Sequence, residues 1–204
     1  MQCLIKNIQL VDYEPTWQSM LNFTKNRDSS TKDEIWILEH YPVFTQGKAG
    51  KAEHLFQTGN IPVVQSDRGG QITYHAPGQL VIYLLLDLAR LNIGIKMLVS
   101  IIEQSLIEYL DNNGVKANLR EKSPGVYVKN NKIASLGLRV SRGCSMHGLS
   151  LNVAMDLQPF SQIRPCGLVD VGVCQLSEFV PTITLDEVAN SLSLILLNKL
   201  GYSN

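Results

Sequence analysis

Apolar positions along the chain fall into two rhythms, one helical and one of strand length. Trp17, Met20, Leu21 and Phe23 recur at helical spacing and predict an amphipathic helix over residues 15–25. Residues 95–110 repeat that rhythm at 95, 98, 101, 102, 106 and 110. They run into Asp111-Asn112-Asn113-Gly114, the chemistry of a left-handed C-cap. A third helix is expected over 185–200, where Thr184 and Glu187 have capping-box spacing. Between the helices lie short apolar runs that predict buried strands at 35–38, 61–64, 80–86 and 149–153. The first stops near Tyr41-Pro42, and the third follows the turn pair Pro77-Gly78. Residues 125–140 read as a hairpin, 126–129 and 132–140, about an Asn130-Asn131 turn. Three helices among strands joined partly by hairpins predict one α/β or α+β domain over 1–204, without repeats or a long linker.

Composition narrows this picture mostly by exclusion. The chain has 204 residues, 45% of them hydrophobic, enough to bury a sizeable core. Charged residues make up 18%, and disorder as the main state is excluded. No apolar run approaches the roughly 20 residues of a membrane span. The first residues lack the apolar stretch of a signal peptide, so a cytoplasmic protein without membrane contact is expected. Cysteines 3, 144, 166 and 174 form no C-x-x-C pair, so neither a zinc ribbon nor a disulfide framework is indicated. Histidines 40, 54, 75 and 147 share no local ligand spacing, and no metal is assigned. Eighteen basic side chains balance 18 acidic ones, which argues against a nucleic-acid partner. The balance is uneven, however: residues 114–147 carry seven basic side chains against Glu121 alone.

Four segments could carry chemistry. Residues 68–79 place Arg68, Thr73, Tyr74, His75 and Gln79 among three glycines and a proline, where backbone can approach a ligand closely. Lys132 is expected directly across the hairpin from Lys129, an unfavourable pairing of like charges. Strand alternation puts it on one face with Tyr127, Ala134, Leu136 and Leu138. Cys166 lies in Arg164-Pro165-Cys166-Gly167-Leu168, a constrained setting without bulky neighbours. His147 opens a strand beside Gly148. Each segment also has a plainer alternative: a polar surface loop, a solvated turn lysine, a small buried thiol and a structural histidine.

In this order and spacing, RGGQITYHAPGQ (68–79), KIASLGLR (132–139), HGLSLN (147–152) and PCGL (165–168) resemble one family. It is the octanoyl-carrier-protein:protein octanoyltransferases of lipoate biosynthesis, and the resemblance runs over roughly 30–180. It implies a biotin/lipoate protein ligase-like fold, a single domain of mixed β-sheets flanked by helices. It also implies transfer of an octanoyl group from acyl carrier protein to a lysine of a lipoyl domain, the first step of endogenous protein lipoylation. Carried over by motif, Cys166 would be the acyl-thioester nucleophile, and Lys132 its partner, favouring the thiolate or taking its proton. Arg68, Gly69, Gly70, Gln71, Ile72, Thr73, Tyr74 and His75 would line the substrate site. Ser135, Leu136, Gly137, Gly148, Leu149 and Ser150 would complete it.

No cofactor is implied, because a thioester is already activated. The implied partners are octanoylated acyl carrier protein, lipoyl domains of 2-oxoacid dehydrogenase complexes and the glycine-cleavage H protein; a monomer is expected. Cys174-Gln175 stands where many relatives are expected to carry Thr-Ser. Backbone N–H groups near Gly69-Gly70, Gly137 and Gly167 are candidates for the oxyanion site. Three other readings compete: an ATP-dependent lipoate or biotin ligase, a thioesterase using His75 or His147 as base, and a non-catalytic acyl-binding module.

Overall fold

The computed structural model describes residues 2–51, 54–56, 58–121, 123–163 and 172–202. A strand apolar at almost every position must be covered on both faces, and β6 (Gln79–Leu85) is buried throughout. It lies inside a six-stranded sheet of order β1 (Cys3–Val11), β2 (Asp33–His40), β6, β9 (Cys144–Asn152), β8 (Asn131–Ser141), β7 (Val126–Val128). Among the named strands of the described residues, only β1 and β2 form a parallel pair in that sheet; α1 (Tyr13–Asn26) makes the crossover that a parallel pair requires. Leu80, Ile82 and Leu84 pack with α2 (Ile95–Asn112) and α3 (Leu185–Leu200). Val81, Tyr83 and Leu85 face the other way, toward Met20 of α1, Trp36 and Leu38. A second sheet, β4 (Val63–Gln65), β3 (Val43–Gln46) and β5 (Ile72–His75), has its own core of Phe44, Ile72, Tyr74, Phe160 and Ile163. The expected fold class, mixed sheets with helices outside, is the one observed.

The three expected helices are present, and Thr184 and Glu187 form the full capping box of α3. Strand expectations need correction in five places. β1 was not expected: it is an edge strand, mostly exposed, with no buried stripe to betray it. β2 stops before Tyr41-Pro42 as expected, but β3, which follows directly, was not expected. Residues 61–64 were read as a buried strand, but β4 spans Val63–Gln65 and buries only Val64. β5 lies inside the segment read as a loop. β9 starts at Cys144, because Arg142 and Gly143, with φ of 53° and 76°, make a tight turn from β8.

The 125–140 hairpin turns one residue early. Val128 pairs with Asn131, so Lys129 and Asn130 form the turn, with Lys129 at φ 54°. Lys132 therefore faces Tyr127, and Lys129 points to solvent, which separates the two ammonium groups. The ladder also shifts between Val126 and Tyr127, so that Ile133 and Ala134 both enter the large core. That shift breaks the strict alternation that put Lys132 on one face with Ala134.

Candidate active site

Side-chain size along β8 and β9 decides where a cavity can form. Ser135 pairs with Ser150 and Gly137 with Gly148, while Val81 and Tyr83 of β6 continue the two rows. Small residues on adjacent strands leave a trough in the sheet face. Over it lies the 68–73 segment, tied down by the Gly69 N–H donating to Leu138 O at 2.9 Å. A methyl group at Gly137 would stand 3.1 Å from Arg68 Cδ and 3.2 Å from Gly69 O, so bare backbone there admits the loop. The result is a cavity of about 280 Å³. Since the Gly69 N–H is spent on Leu138, it is not free to meet an oxyanion.

The substrate-site residues expected from sequence line this cavity, with one difference: Tyr74 alternates to the other side of β5 and packs against Phe44 and Phe160. Residues that sequence reasoning did not find also contribute. Tyr13 comes from α1, Val81 and Tyr83 from β6, Ile95 and Val99 from α2, together with Pro124 and Leu138. Val81 and Tyr83 sit in an unbroken apolar run, which carries no polar alternation from which to assign a face.

Lys132 lies in the cavity wall with 5% of its surface exposed. Its Nζ donates to Pro124 O at 3.1 Å and stands 5.3 Å from the Tyr127 ring centroid. Its backbone is held by the chain at 172–174: Lys132 N–H donates to Gly172 O, and Cys174 N–H donates to Lys132 O. Cys166 and its Pro-Cys-Gly-Leu motif lie outside the described residues.

His75 and His147 line the cavity's polar side, His40 packs against His75, and the geometry sets the tautomer of each. His40 Nδ1–H donates to Val11 O, and its Nε2 accepts from Tyr83 OH at 2.6 Å. His75 Nδ1–H donates to Gln79 Oε1 at 2.6 Å, and its Nε2 accepts from Thr45 Oγ1 at 3.3 Å. His147 Nε2–H donates to Asp67 Oδ1, a carboxylate that also takes Trp17 Nε1–H and pairs with Arg139. Burial pushes the His40 imidazolium down to about 4 and His75 to about 3. His147 is also lowered, by burial and by the Arg68 and Arg139 guanidinium groups; Asp67 opposes this but is shared with Arg139. These are neutral imidazoles. Both nitrogens of His75 are committed, which leaves it no lone pair for general-base chemistry.

The described thiols are poor nucleophiles. Burial pushes Cys3 and Cys174 up to about 12 and raises Cys144. Among the described residues no cluster of three or more His, Cys, Asp or Glu could hold a metal, and no helix is long and apolar enough to cross a membrane.

Comparison with known proteins places this architecture. The family model for the lipoyl protein ligase A/B catalytic domain matches residues 12–196. The octanoyltransferase of Ectopseudomonas mendocina is 53% identical over 203 residues, covering 99% of both chains. The octanoyltransferase of Vibrio cholerae is 52% identical over 201 residues, covering 98% of this chain and 93% of its own. A solved structure of lipoate-protein ligase A bound with ATP superposes with a TM-score of 0.80 at 16% identity, covering 100% of this chain and 87% of that one. The biotin protein ligase of Aquifex aeolicus follows at 0.58 and 13%, covering 98% of this chain and 69% of its own. At such low identity these two structures speak for the fold alone.

Proposed function

The chain belongs to the octanoyltransferases of the lipoyl protein ligase A/B family, and from that premise we propose a two-step acyl transfer through Cys166. It is an enzyme that transfers acyl groups; the donor, acceptor and residue roles that follow are the proposal. In the first step the Cys166 thiolate attacks the carbonyl carbon of an octanoyl thioester on acyl carrier protein. The tetrahedral intermediate collapses, the carbon–sulfur bond to the carrier breaks, and the carrier thiol leaves with a proton from Lys132. In the second step a lipoyl-domain lysine, as its free amine, attacks the acyl-Cys166 carbonyl. An amide forms, the Cys166 thiolate departs, and the proton lost by the amine passes to Lys132, which gave one up in the first step. Thioester and amine become amide and thiol, with no nucleotide consumed.

The single observation that supports this most is the setting of Lys132. Its ammonium is buried at the cavity wall, and its backbone is bonded to Gly172 and Cys174, which follow Cys166 by six and eight positions. The apolar walls from Val81, Ile95, Val99, Leu136 and Leu149 suit an eight-carbon chain. Each methylene buried there adds about 0.8 kcal/mol to binding. His75, kept neutral by burial and with both ring nitrogens engaged by Thr45 and Gln79, is unsuited to act as the base of a thioesterase.

Intact-mass measurement after mixing with octanoylated acyl carrier protein tests the reading. Wild type should gain one octanoyl group that maps to Cys166 and is discharged by a lipoyl domain. Cys166→Ala should gain none. Failure of the wild type to acquire an adduct, or product formed from ATP and free octanoate without a thioester donor, would overturn it.

A further inference from the structure

Two motif residues have no place in the chemistry above. Gln79 ends the 68–79 segment and Asn152 ends β9, and both are buried polar side chains. They meet in the middle of a hydrogen-bond chain whose every direction is determined. Arg68 Nε–H donates to Thr45 Oγ1, the Thr45 hydroxyl to His75 Nε2, and His75 Nδ1–H to Gln79 Oε1. Gln79 Nε2–H then donates to Asn152 Oδ1 at 3.0 Å and to Tyr74 O at 3.1 Å. Asn152 Nδ2–H donates to Cys174 O at 2.9 Å. The chain begins at a cavity residue and ends on the backbone of the segment that follows Cys166.

Its end point lies at a discontinuity in the sheet. The last partners of β8 and β9 are Ala134 and Leu151. Beyond them, at Lys132, residues 172–174 take the place beside β8, with Val173 in a parallel bridge to Lys132. Asn152 stands where β9 gives way to this segment, and its amide is the side-chain link between the two. No other common side chain of this size offers both an acceptor for Gln79 and a donor for Cys174.

We propose that Gln79 and Asn152 are positioning residues, which set the register of residues 172–174 against Lys132, and that acyl transfer to Cys166 depends on that register. The proposal rests on the Cys166–Lys132 reading above. It assigns the amide pair a role in the first chemical step without contact with substrate.

Isosteric changes test it. Asn152→Asp keeps the shape but turns a carboxylate oxygen toward Cys174 O; Gln79→Glu removes the donor to Asn152. Asn152→Ser, neutral and too short to span both partners, is the third variant. Misalignment of reacting groups by about 1 Å can cost about a hundredfold in rate, so acyl-enzyme formation in each folded variant should slow by tenfold to a hundredfold. The KM for the carrier should stay within twofold, because no exposed residue has changed. A second readout is alkylation of Cys166 by iodoacetamide across pH, followed by peptide mapping. In wild type its midpoint should fall below the usual thiol value of about 8.5, and in the variants it should move back toward that value.

Wild-type rate and alkylation profile in folded variants would overturn the positioning role. So would a failure of all three to fold, since that would assign the pair to the core alone. If wild-type Cys166 instead forms no adduct and alkylates as an ordinary thiol, the Cys166–Lys132 reading fails first, whatever the variants do.

Discussion

Gly125 shows how much of a catalytic proposal can depend on a side chain that is missing. Its φ is 134°, in the region that favours glycine. A methyl group there would lie 2.9 Å from Lys132 Cε, 3.2 Å from Nζ and 2.7 Å from Ala134 O. The carbonyl of neighbouring Pro124 accepts a hydrogen bond from the ammonium, so the same two residues make room for the Lys132 head and hold it. Gly125→Ala should therefore act as a partial Lys132 deletion. If Lys132 handles a proton in acyl-enzyme formation, Lys132→Ala should slow that step by about 10² to 10⁴. Gly125→Ala should fall between that variant and wild type, with the carrier KM little changed. Single-turnover acylation followed by mass decides it. A Gly125→Ala rate equal to wild type would show that the lysine does not need this seat, and a Lys132→Ala rate within a few-fold of wild type would return Lys132 to a structural role.

At the scale of elements, the polar side of the cavity is a seam between the two sheets, built from histidines on β2, β5 and β9. Tyr13 of α1 packs against two of them: its ring lies 5.2 Å from His40 and 6.1 Å from His75, centroid to centroid. An unfolded chain protonates its histidines near pH 6.5, whereas the folded chain holds His40 neutral to about 4 and His75 to about 3. The folded state thus binds fewer protons. This contribution to stability is complete above pH 6.5 and is lost as pH falls toward 4. At pH 5 the loss is about 2 kcal/mol for each such histidine. Urea midpoints at pH 7 and pH 5 measure it, and equal stability at the two values would contradict the buried neutral seam. The sequence singled out His75 and His147, but not their meeting with His40, because the three are far apart in the chain and share no spacing. What was legible had strong local grammar: three helices with clear periodicity, one with a capping box, and the 68–79 segment, whose glycines mark a close backbone approach. What was not legible depended on pairing. β1 shows no buried stripe because it is an edge strand, and the 129–130 turn is chosen by which hydrophobic residues reach the core, a preference the Asn130-Asn131 pair could not override.

Over the whole molecule, the excess of positive charge in residues 114–147 is less uniform than its sequence total implies. Arg139 pairs with Asp67, Lys116 pairs with Asp111, and Lys132 is buried in the cavity wall. Lys129 stands exposed at the β7–β8 turn, beside half-exposed Arg120, whose guanidinium covers the Tyr127 ring at 4.6 Å. Arg142 lies at the other end of β8, in the turn to β9, with its guanidinium on Lys25 O. Ten steps of about 3.3 Å put the two turns roughly 33 Å apart, several Debye lengths at physiological salt. That distance separates two explanations of how an acidic carrier protein would be recruited. Lys129→Glu and Arg142→Glu change net charge equally, so a field set by the whole molecule would weaken carrier binding equally in both. Recruitment to the Lys132 end of the sheet would instead raise the carrier KM several-fold in Lys129→Glu and barely in Arg142→Glu. The chemical step should be unchanged in both, and the difference should shrink as salt screens the encounter. Steady-state kinetics with octanoylated carrier at two ionic strengths is the measurement. Equal shifts in the two variants would place recruitment in the overall field, and a larger shift in Arg142→Glu would move the docking face to the opposite end of β8.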